Sequence, residues 1–329
     1  MYNFNDLKEI IEVKETSIVC PILNCKKEVR RIRKGENLNQ SDFLCPDHKI
    51  YISPSTFEYS NEFSNLLSLE QNDKELLLKI KSAKRECRIS RERSEDALSW
   101  NIFRHLEKQR YIQSFIKETL GLDFINPELV MWSFSEREKE NCRGVLRELA
   151  DARQHFGEKE NSSTEPDIII KGENAIIFIE AKFSSGNNTS GNPKNKLVII
   201  NNPKKYNVDW FKSVFKENYE TLINSGKYEL MRLWLLGTWI ANHKKLDFYL
   251  VNLTREKCEQ TIEKDFKPMI IESKSNTFKR ITWESIYDFL LAQNSDDDKA
   301  ILEYFENKSC GFNSSRKKQK AFNRNGICT

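Results

Sequence analysis

The stretch PDIIIKGENAIIFIEAKF, residues 166–183, carries the pattern that decides the fold. Two apolar runs, 167–171 and 175–183, flank turn-forming residues at 172–174, and this pattern predicts a β-hairpin. Apolar residues in these runs do not alternate with polar ones, as they would in a strand with one face exposed to solvent. Such runs are typical of a sheet that is buried on both faces. We therefore predict that the hairpin belongs to a buried sheet.

Besides Lys171 at the end of the first run, these apolar runs contain three charged residues. Asp167 opens the first run, and Glu180 and Lys182 lie within the second. Alternate residues of a strand share a face, so Glu180 and Lys182 are expected to project the same way. Charges in such a strand are costly to bury unless they are paired or bind a metal. We therefore expect the two strands to bring two carboxylates and one ammonium group together.

That combination of groups suits phosphodiester hydrolysis. Mg²⁺ is bound through one or two carboxylates and through phosphate oxygens. A bound cation polarises the phosphate and eases deprotonation of a coordinated water, and a neighbouring lysine can offset the charge that develops on phosphorus. The alternative is a surface ion pair on a hairpin, with no catalytic role.

Pro166, Asp167, Glu180 and Lys182 resemble the signature of the PD-(D/E)XK nuclease superfamily, which has the restriction-endonuclease-like fold. The resemblance covers about residues 94–255. It implies an α/β fold with a mixed β-sheet that is flanked by helices. It also implies that Asp167 and Glu180 hold one or two divalent metals, Mg²⁺ or Mn²⁺, and that Lys182 assists attack on the scissile phosphate.

Members of this superfamily commonly add an acid from the helix before the hairpin. A helix is predicted to begin after Ser94, a good N-cap residue, and Glu95 shares a helix face with Leu98, Ile102 and Leu106. Glu95 is therefore a candidate third metal ligand. The alternative is an acid favoured at a helix N-terminus for electrostatic reasons alone.

The surrounding patterns complete a mixed α/β layer fold. They predict a strand over 128–136, helices over 208–223 and 228–241, and a strand over 246–253. One feature departs from the resemblance. The helix predicted over 208–223 has no Gln-x-x-x-Tyr motif, which argues against close kinship with RecB-type nucleases.

Cys20-x4-Cys25 and Cys45-x2-His48 supply two pairs of metal ligands near the N-terminus. Cytosolic chains keep thiols reduced, so clustered cysteines indicate metal binding before disulfides. Four such ligands fill a tetrahedral Zn²⁺ site, which favours a structural role over a catalytic one. The alternative is unrelated buried cysteines and a surface histidine.

The loop between the two pairs is basic, and a metal-anchored basic loop can contact phosphates. Its cations are Lys26, Lys27, Arg30, Arg31, Arg33 and Lys34. Charge runs are also commonly solvated faces, so this alternative stays open. The basic tail after Ser315 is expected to be disordered.

Length and composition set the remaining expectations. The chain has 329 residues and a net charge of +4. Its length predicts roughly two domains. We divide them into a zinc-finger-like module (1–60), a charged helical linker (61–93), a nuclease domain (94–295) and a C-terminal helix with a basic tail (296–329). The longest apolar run, 233–241, is shorter than the roughly 20 residues of a membrane helix, and no secretory signal begins the chain. We expect a cytoplasmic location and no membrane contact.

These features together predict a metal-dependent endodeoxyribonuclease that acts on double-stranded DNA. The resemblance suggests a role in restriction or another anti-phage defence, with a homodimer or a defence-system partner protein. Two alternatives remain: a nuclease for structured DNA or DNA repair, and a catalytically inactive, zinc-dependent nucleic-acid-binding protein.

Overall fold

A computed structural model of the protein describes residues 6–83, 88–135, 144–158, 165–188 and 208–322. The chain divides into two compact units, each assembled from segments that are distant in sequence. The first unit comprises Met1–Gln71, Cys87–His105 and Leu290–Thr329. The second unit comprises Asn72–Glu86 and Leu106–Phe289. This grouping differs from the four consecutive segments predicted from the sequence.

The described residues contain both α-helices and β-strands. The α-helices are α1 (Gln71–Ala83), α2 (Glu95–Lys108), α3 (Ile112–Leu120), α4 (Arg147–His155), α5 (Val208–Val214), α6 (Tyr219–Asn224), α7 (Tyr228–Lys244), α8 (Ile262–Phe266), α9 (Trp283–Gln293) and α10 (Lys299–Asn307). The β-strands are β1 (Ser17–Val19), β2 (Glu28–Arg30), β3 (Ile50–Ile52), β4 (Phe57–Tyr59), β5 (Glu128–Met131), β6 (Ile168–Lys171), β7 (Ala175–Ala181), β8 (Asp247–Thr254), β9 (Asn276–Thr282), β10 (Ser309–Phe312) and β11 (Lys318–Lys320).

The first unit is built on three antiparallel pairs of short strands, β1–β2, β3–β4 and β10–β11. Ile18, Ile50, Phe57 and Phe312 are buried in one apolar cluster with three cysteines, Cys20, Cys25 and Cys45. Strands of three or four residues bury little surface alone, so this unit depends on the shared cluster.

The C-terminal segment differs from its prediction. Residues 316–322 are not a disordered tail, because β11 pairs with β10, and the N–H of Lys318 donates to the carbonyl of Glu9 at 2.8 Å. The N–H of Ile11 donates to the carbonyl of Arg316 at 3.0 Å. Backbone pairing of this kind needs no apolar side chains, so the basic composition did not reveal it. Residues 323–329 lie outside the described part of the chain.

The second unit contains a five-stranded mixed sheet in the order β5-β6-β7-β8-β9. The pairs β5–β6 and β6–β7 are antiparallel, whereas β7–β8 and β8–β9 are parallel. A parallel neighbour requires a crossover connection, and α7 lies in the connection between β7 and β8. With helices flanking the sheet, the predicted mixed α/β class is confirmed.

One face of the sheet packs against α7. Phe178 of β7 and Phe248 of β8 are fully buried in a cluster with Trp234 of α7. A Cβ added at Gly237 would lie 2.0 Å from the Phe248 ring, so this glycine allows the helix to approach the sheet closely. The same face of β7 continues beyond Phe178 to Glu180, which places the site on the α7 side.

Two elements differ from their predicted bounds. The strand predicted over 128–136 ends at Met131, because Trp132 and Ser133 adopt positive φ angles of 48° and 65°, which do not continue a strand. The helix predicted over 208–223 is two helices, α5 and α6. The side chain of Asn218 caps α6 by accepting from the N–H of Thr221 at 2.9 Å, so this local bond begins a new helix.

Candidate active site and metal centre

The register of the central hairpin brings the two predicted carboxylates together. In the antiparallel β6–β7 ladder Ile168 lies opposite Ile179, so one step further Asp167 lies opposite Glu180 on the same face. Oδ2 of Asp167 accepts a hydrogen bond from the backbone N–H of Ala181 at 2.9 Å. A side-chain oxygen thus extends the pairing of the two strands at the point where the backbone ladder ends.

Lys182 lies beside these carboxylates. Its Nζ donates to Oε1 of Glu180 at 2.5 Å and to Oε2 of Glu229 at 3.2 Å. Lys182 and Glu180 are only 8% and 5% exposed. The backbone of Lys182 is fixed as well, because its carbonyl accepts from the indole N–H of Trp283 at 3.1 Å.

Glu229 is a site residue that the sequence analysis missed. It occupies the first turn of α7, and 47 positions separate it from Lys182 in the chain. A glutamate in the first turn of a helix is common because it complements the helix dipole. Its position in the sequence therefore gave no signal of a role beside Lys182.

The site has an excess of negative charge. Burial raises the pKa of the Glu180 carboxyl group well above its usual range, the charges of Asp167 and Glu229 raise it further, and Lys182 lowers it. Lys182 brings one positive charge to the carboxyl groups of Asp167, Glu180 and Glu229, and a divalent cation would offset the excess of negative charge. Asp167 and Glu180 offer oxygen donors, which Mg²⁺ and Mn²⁺ prefer, so these residues fit such a cation.

Glu95, the third predicted ligand, is the first residue of α2 and belongs to the first unit, whereas Asp167 and Glu180 belong to the second. The predicted N-cap is confirmed, because Ser94 Oγ accepts from the N–H of Ala97 at 2.9 Å. A role for Glu95 in metal binding stays a prediction.

The second candidate site is a cluster of metal ligands in the first unit. One ligand atom each from Cys20, Cys25, Cys45 and His48 lies within 4.8 Å of all the others. The Sγ atoms of Cys20 and Cys45 are each 3.6 Å from Nδ1 of His48. The two pairs predicted from their spacing therefore do meet.

Short strands and tight turns position these ligands. Cys20 directly follows β1, and the N–H of Cys45 donates to the carbonyl of Ile50 in β3 at 2.9 Å. Nζ of Lys8 donates to the carbonyls of Cys20 and Cys25 at 2.7 and 2.6 Å, and so joins the two ends of the first turn. The cluster is held by backbone contacts in addition to its side chains.

The donor set of this cluster fits zinc. Burial raises the pKa of the Cys20 thiol, and the adjacent Cys45 and Cys25 raise it further, so the thiolate form needs a cation beside it. Three sulfurs and one imidazole nitrogen form a closed tetrahedral set with no position for a substrate. The cluster could therefore hold zinc in a structural role.

The basic loop is only partly available for binding. Arg30 is used within the unit, because it pairs with Glu36 at 2.7 Å and Asp42 at 3.3 Å and stacks on the Phe43 ring. The remaining cations with exposed side chains are Lys26, Lys27, Arg33 and Lys34. A phosphate-binding role of the loop would rest on these four.

Comparison of the chain with models of known protein families, with curated proteins and with solved structures found no match. Among the described residues, no helix combines the length and the apolar character needed to span a bilayer.

Proposed function

We propose that the protein is a metal-dependent endodeoxyribonuclease that hydrolyses phosphodiester bonds in double-stranded DNA. The observation that carries this proposal is the hydrogen bond that holds the Asp167 carboxylate against Ala181, between Glu180 and Lys182, with the buried Lys182 donating to Glu180. The resemblance of residues 166–183 to the PD-(D/E)XK signature supports the same conclusion. We extend it to the fold and propose that the mixed sheet is restriction-endonuclease-like.

Asp167 and Glu180 would hold Mg²⁺ or Mn²⁺, and Glu95 is a further candidate ligand. When bound, the cation supplies positive charge to the phosphate and lowers the pKa of a coordinated water. Lys182 directs its ammonium group at the attacking water and at the charge that develops on the phosphate. Glu229, the second acceptor of Lys182, would keep the lysine in place if Glu180 bound the cation.

The zinc module would position the substrate or a partner. Its exposed lysines and arginines suit contacts to the DNA backbone, which add affinity without reading sequence. A single active site cleaves one strand, so double-strand cleavage needs a homodimer or two successive events. The resemblance points to restriction or anti-phage defence, with a defence-system protein as the other candidate partner.

A plasmid-nicking assay tests the catalytic proposal. Wild-type protein should cleave with Mg²⁺ or Mn²⁺, stop in EDTA, and recover when excess Mg²⁺ is returned. Lys182→Met should lower the rate by about 100-fold or more, a barrier increase of roughly 2.7 kcal/mol. Lys171→Met is the matched control, because Lys171 pairs with Glu148 at 2.7 Å at the other end of the hairpin. This variant should cleave at the wild-type rate.

Cleavage that survives EDTA or the Lys182→Met substitution would contradict the proposed site. Zinc-dependent DNA binding without cleavage would favour the inactive binding protein. Comparison of linear, nicked, branched and single-stranded DNA separates the duplex enzyme from a nuclease for structured DNA or repair, which would prefer branched or nicked substrates.

A further inference from the structure

The strand on the other side of β7 also contributes a polar residue to this face of the sheet. The parallel β7–β8 ladder pairs Glu180 with Asn252, and residues paired in this way share a face at a strand spacing of about 4.8 Å. Asn252 is fully buried. A buried amide in the apolar strand DFYLVNLT is costly unless its hydrogen bonds are used.

A chain of hydrogen bonds fixes the orientation of this amide. Glu259 carries a carboxylate, which only accepts, and it receives the backbone N–H of Asn187 at 3.2 Å and the Nδ2 of Asn187 at 3.1 Å. The same Nδ2 donates to Oδ1 of Asn252 at 2.7 Å. Because Asn187 directs its Nδ2 donor at Asn252, the side chain of Asn252 must direct its Oδ1 acceptor at Asn187. The Nδ2 atom of Asn252 therefore points away from Asn187.

The Nδ2 atom of Asn252 is buried and has no hydrogen-bond partner within the part of the chain that the structure describes. An amide that is free to flip would average its donor and acceptor positions, but the Glu259–Asn187 contacts prevent this. A donor that has no partner among the described residues is thus held on the strand next to a candidate metal-binding carboxylate.

We propose that Asn252 is a positioning residue for Glu180, and that Glu259 and Asn187 set its orientation. The inference rests on the proposed function, since it concerns the metal-binding state of Glu180. When Glu180 turns from Lys182 to ligate a divalent cation, its second oxygen requires a donor, and Nδ2 of Asn252 supplies it. Carboxylates that bind metals are held in this way by neighbouring hydrogen bonds, whose loss weakens metal binding 10–100-fold.

Mn²⁺ binding to the full chain, measured by electron paramagnetic resonance, tests this inference without a cleavage step. We expect Asn252→Ala to weaken the Asp167-dependent binding of Mn²⁺ by about 10-fold or more. Glu259→Gln should weaken it less, by a few-fold, because a glutamine can present either a donor or an acceptor to Asn187. Asn276→Ala is the control at the opposite end of the sheet, since the Oδ1 of Asn276 is also buried without a described partner, and it should bind Mn²⁺ normally.

The outcomes separate the two proposals. If the wild type does not bind Mn²⁺, or if Asp167→Asn binds Mn²⁺ as well as the wild type does, the proposed function fails. If the wild type binds and both Asn252→Ala and Glu259→Gln bind equally well, the positioning role fails while the proposed function stands. If Asn252→Ala does not fold, Glu259→Gln decides alone, because Glu259 is half-buried outside the strands. Melting in EDTA identifies a purely structural effect, which would lower stability in either variant without a selective loss of Mn²⁺ affinity.

Discussion

Asp167 and Ala181 are joined by a hydrogen bond in which Oδ2 of Asp167 accepts from the backbone N–H of Ala181 at 2.9 Å. Ala181 lies between Glu180 and Lys182, so the bond holds the Asp167 carboxylate against the segment that carries the other two site residues. Asp167 therefore has a structural role in addition to its proposed role as a metal ligand. These two roles can be separated by substitution.

Asp167→Asn and Asp167→Ala should both abolish cleavage, but only the alanine variant should lose stability. Asparagine retains an oxygen that accepts from the Ala181 N–H, whereas alanine leaves that N–H without its acceptor at a cost of about 1 kcal/mol. Both variants lose the charge that holds the cation, and cleavage should fall by at least about 100-fold. Plasmid cleavage and urea unfolding measure the two effects. Cleavage by Asp167→Asn at the wild-type rate would exclude Asp167 as a ligand.

Glu180→Gln should stabilise the metal-free protein at neutral and alkaline pH. Burial, Asp167 and Glu229 hold the pKa of Glu180 above its usual range, so the folded state disfavours the ionised form. For a carboxyl group whose pKa is raised on folding, stability is lost as the pH rises from the unfolded value through the folded one. Glutamine removes this loss, and Lys182 keeps Glu229 as a partner.

The measurement is the melting temperature in EDTA as a function of pH. Glu180→Gln should melt a few degrees above the wild type at pH 8, and the difference should close as the pH falls below about 4.3, where Glu180 becomes protonated in the unfolded state as well as in the folded state. A variant that melts below the wild type at pH 8 would show that the Lys182 ion pair outweighs burial. Such a gain in stability with a loss of activity is typical of functional residues.

The sequence was sufficient where the residues of a site are close together in the chain. Glu180 lies in β7, and Asp167 and Lys182 directly flank the two strands of one hairpin, so the hairpin pattern predicted that the three residues come close together. Cys20 with Cys25, and Cys45 with His48, each lie within one turn, and their spacing predicted the cluster. In these cases local geometry leaves few alternatives.

The sequence was insufficient where packing of distant elements selects the residue. Glu229 meets Lys182 only because α7 packs on the sheet, and Asn252 meets Glu180 only because β8 becomes the parallel neighbour of β7. A glutamate in the first turn of a helix is common, and the asparagine in β8 does not by itself indicate which strand lies beside it. The pairing of β10 with β11 likewise depends on the backbone, and the basic side chains of that segment predicted the opposite.

If the cluster of Cys20, Cys25, Cys45 and His48 holds zinc, the metal content and the stability of the protein should depend on it. Elemental analysis of the pure protein should give about one zinc per chain, and Cys45→Ser or His48→Ala should lose it, because a tetrahedral site with a missing ligand is incomplete. The first unit should then unfold at a lower temperature, since metal binding contributes directly to the folding of small modules. Cys258→Ser is the control, because Cys258 lies outside the cluster. Full zinc content in Cys45→Ser would exclude this cluster as the site.

A buried ion pair in the first unit makes the last prediction. Nζ of Lys308 lies 3.6 Å from Oε2 of Glu92, both side chains are fully buried, and Ser309 Oγ donates to Oε1 of Glu92 at 3.0 Å. Lys308→Met leaves the Glu92 carboxylate buried without its cation, which should cost about 3–5 kcal/mol in the free energy of unfolding.

The double variant Glu92→Gln with Lys308→Met should recover most of this loss, because a neutral amide can keep the Ser309 contact and no charge remains buried. Lys299→Met, which breaks the exposed Lys299–Asp296 pair, is the control and should leave the unfolding free energy unchanged within error. Urea unfolding of the full chain measures these three variants and the single variant Glu92→Gln, which completes the double-mutant cycle. Additive losses in the double variant would mean that Glu92 and Lys308 stabilise the unit independently, and that their charges are not coupled across the 3.6 Å that separates them.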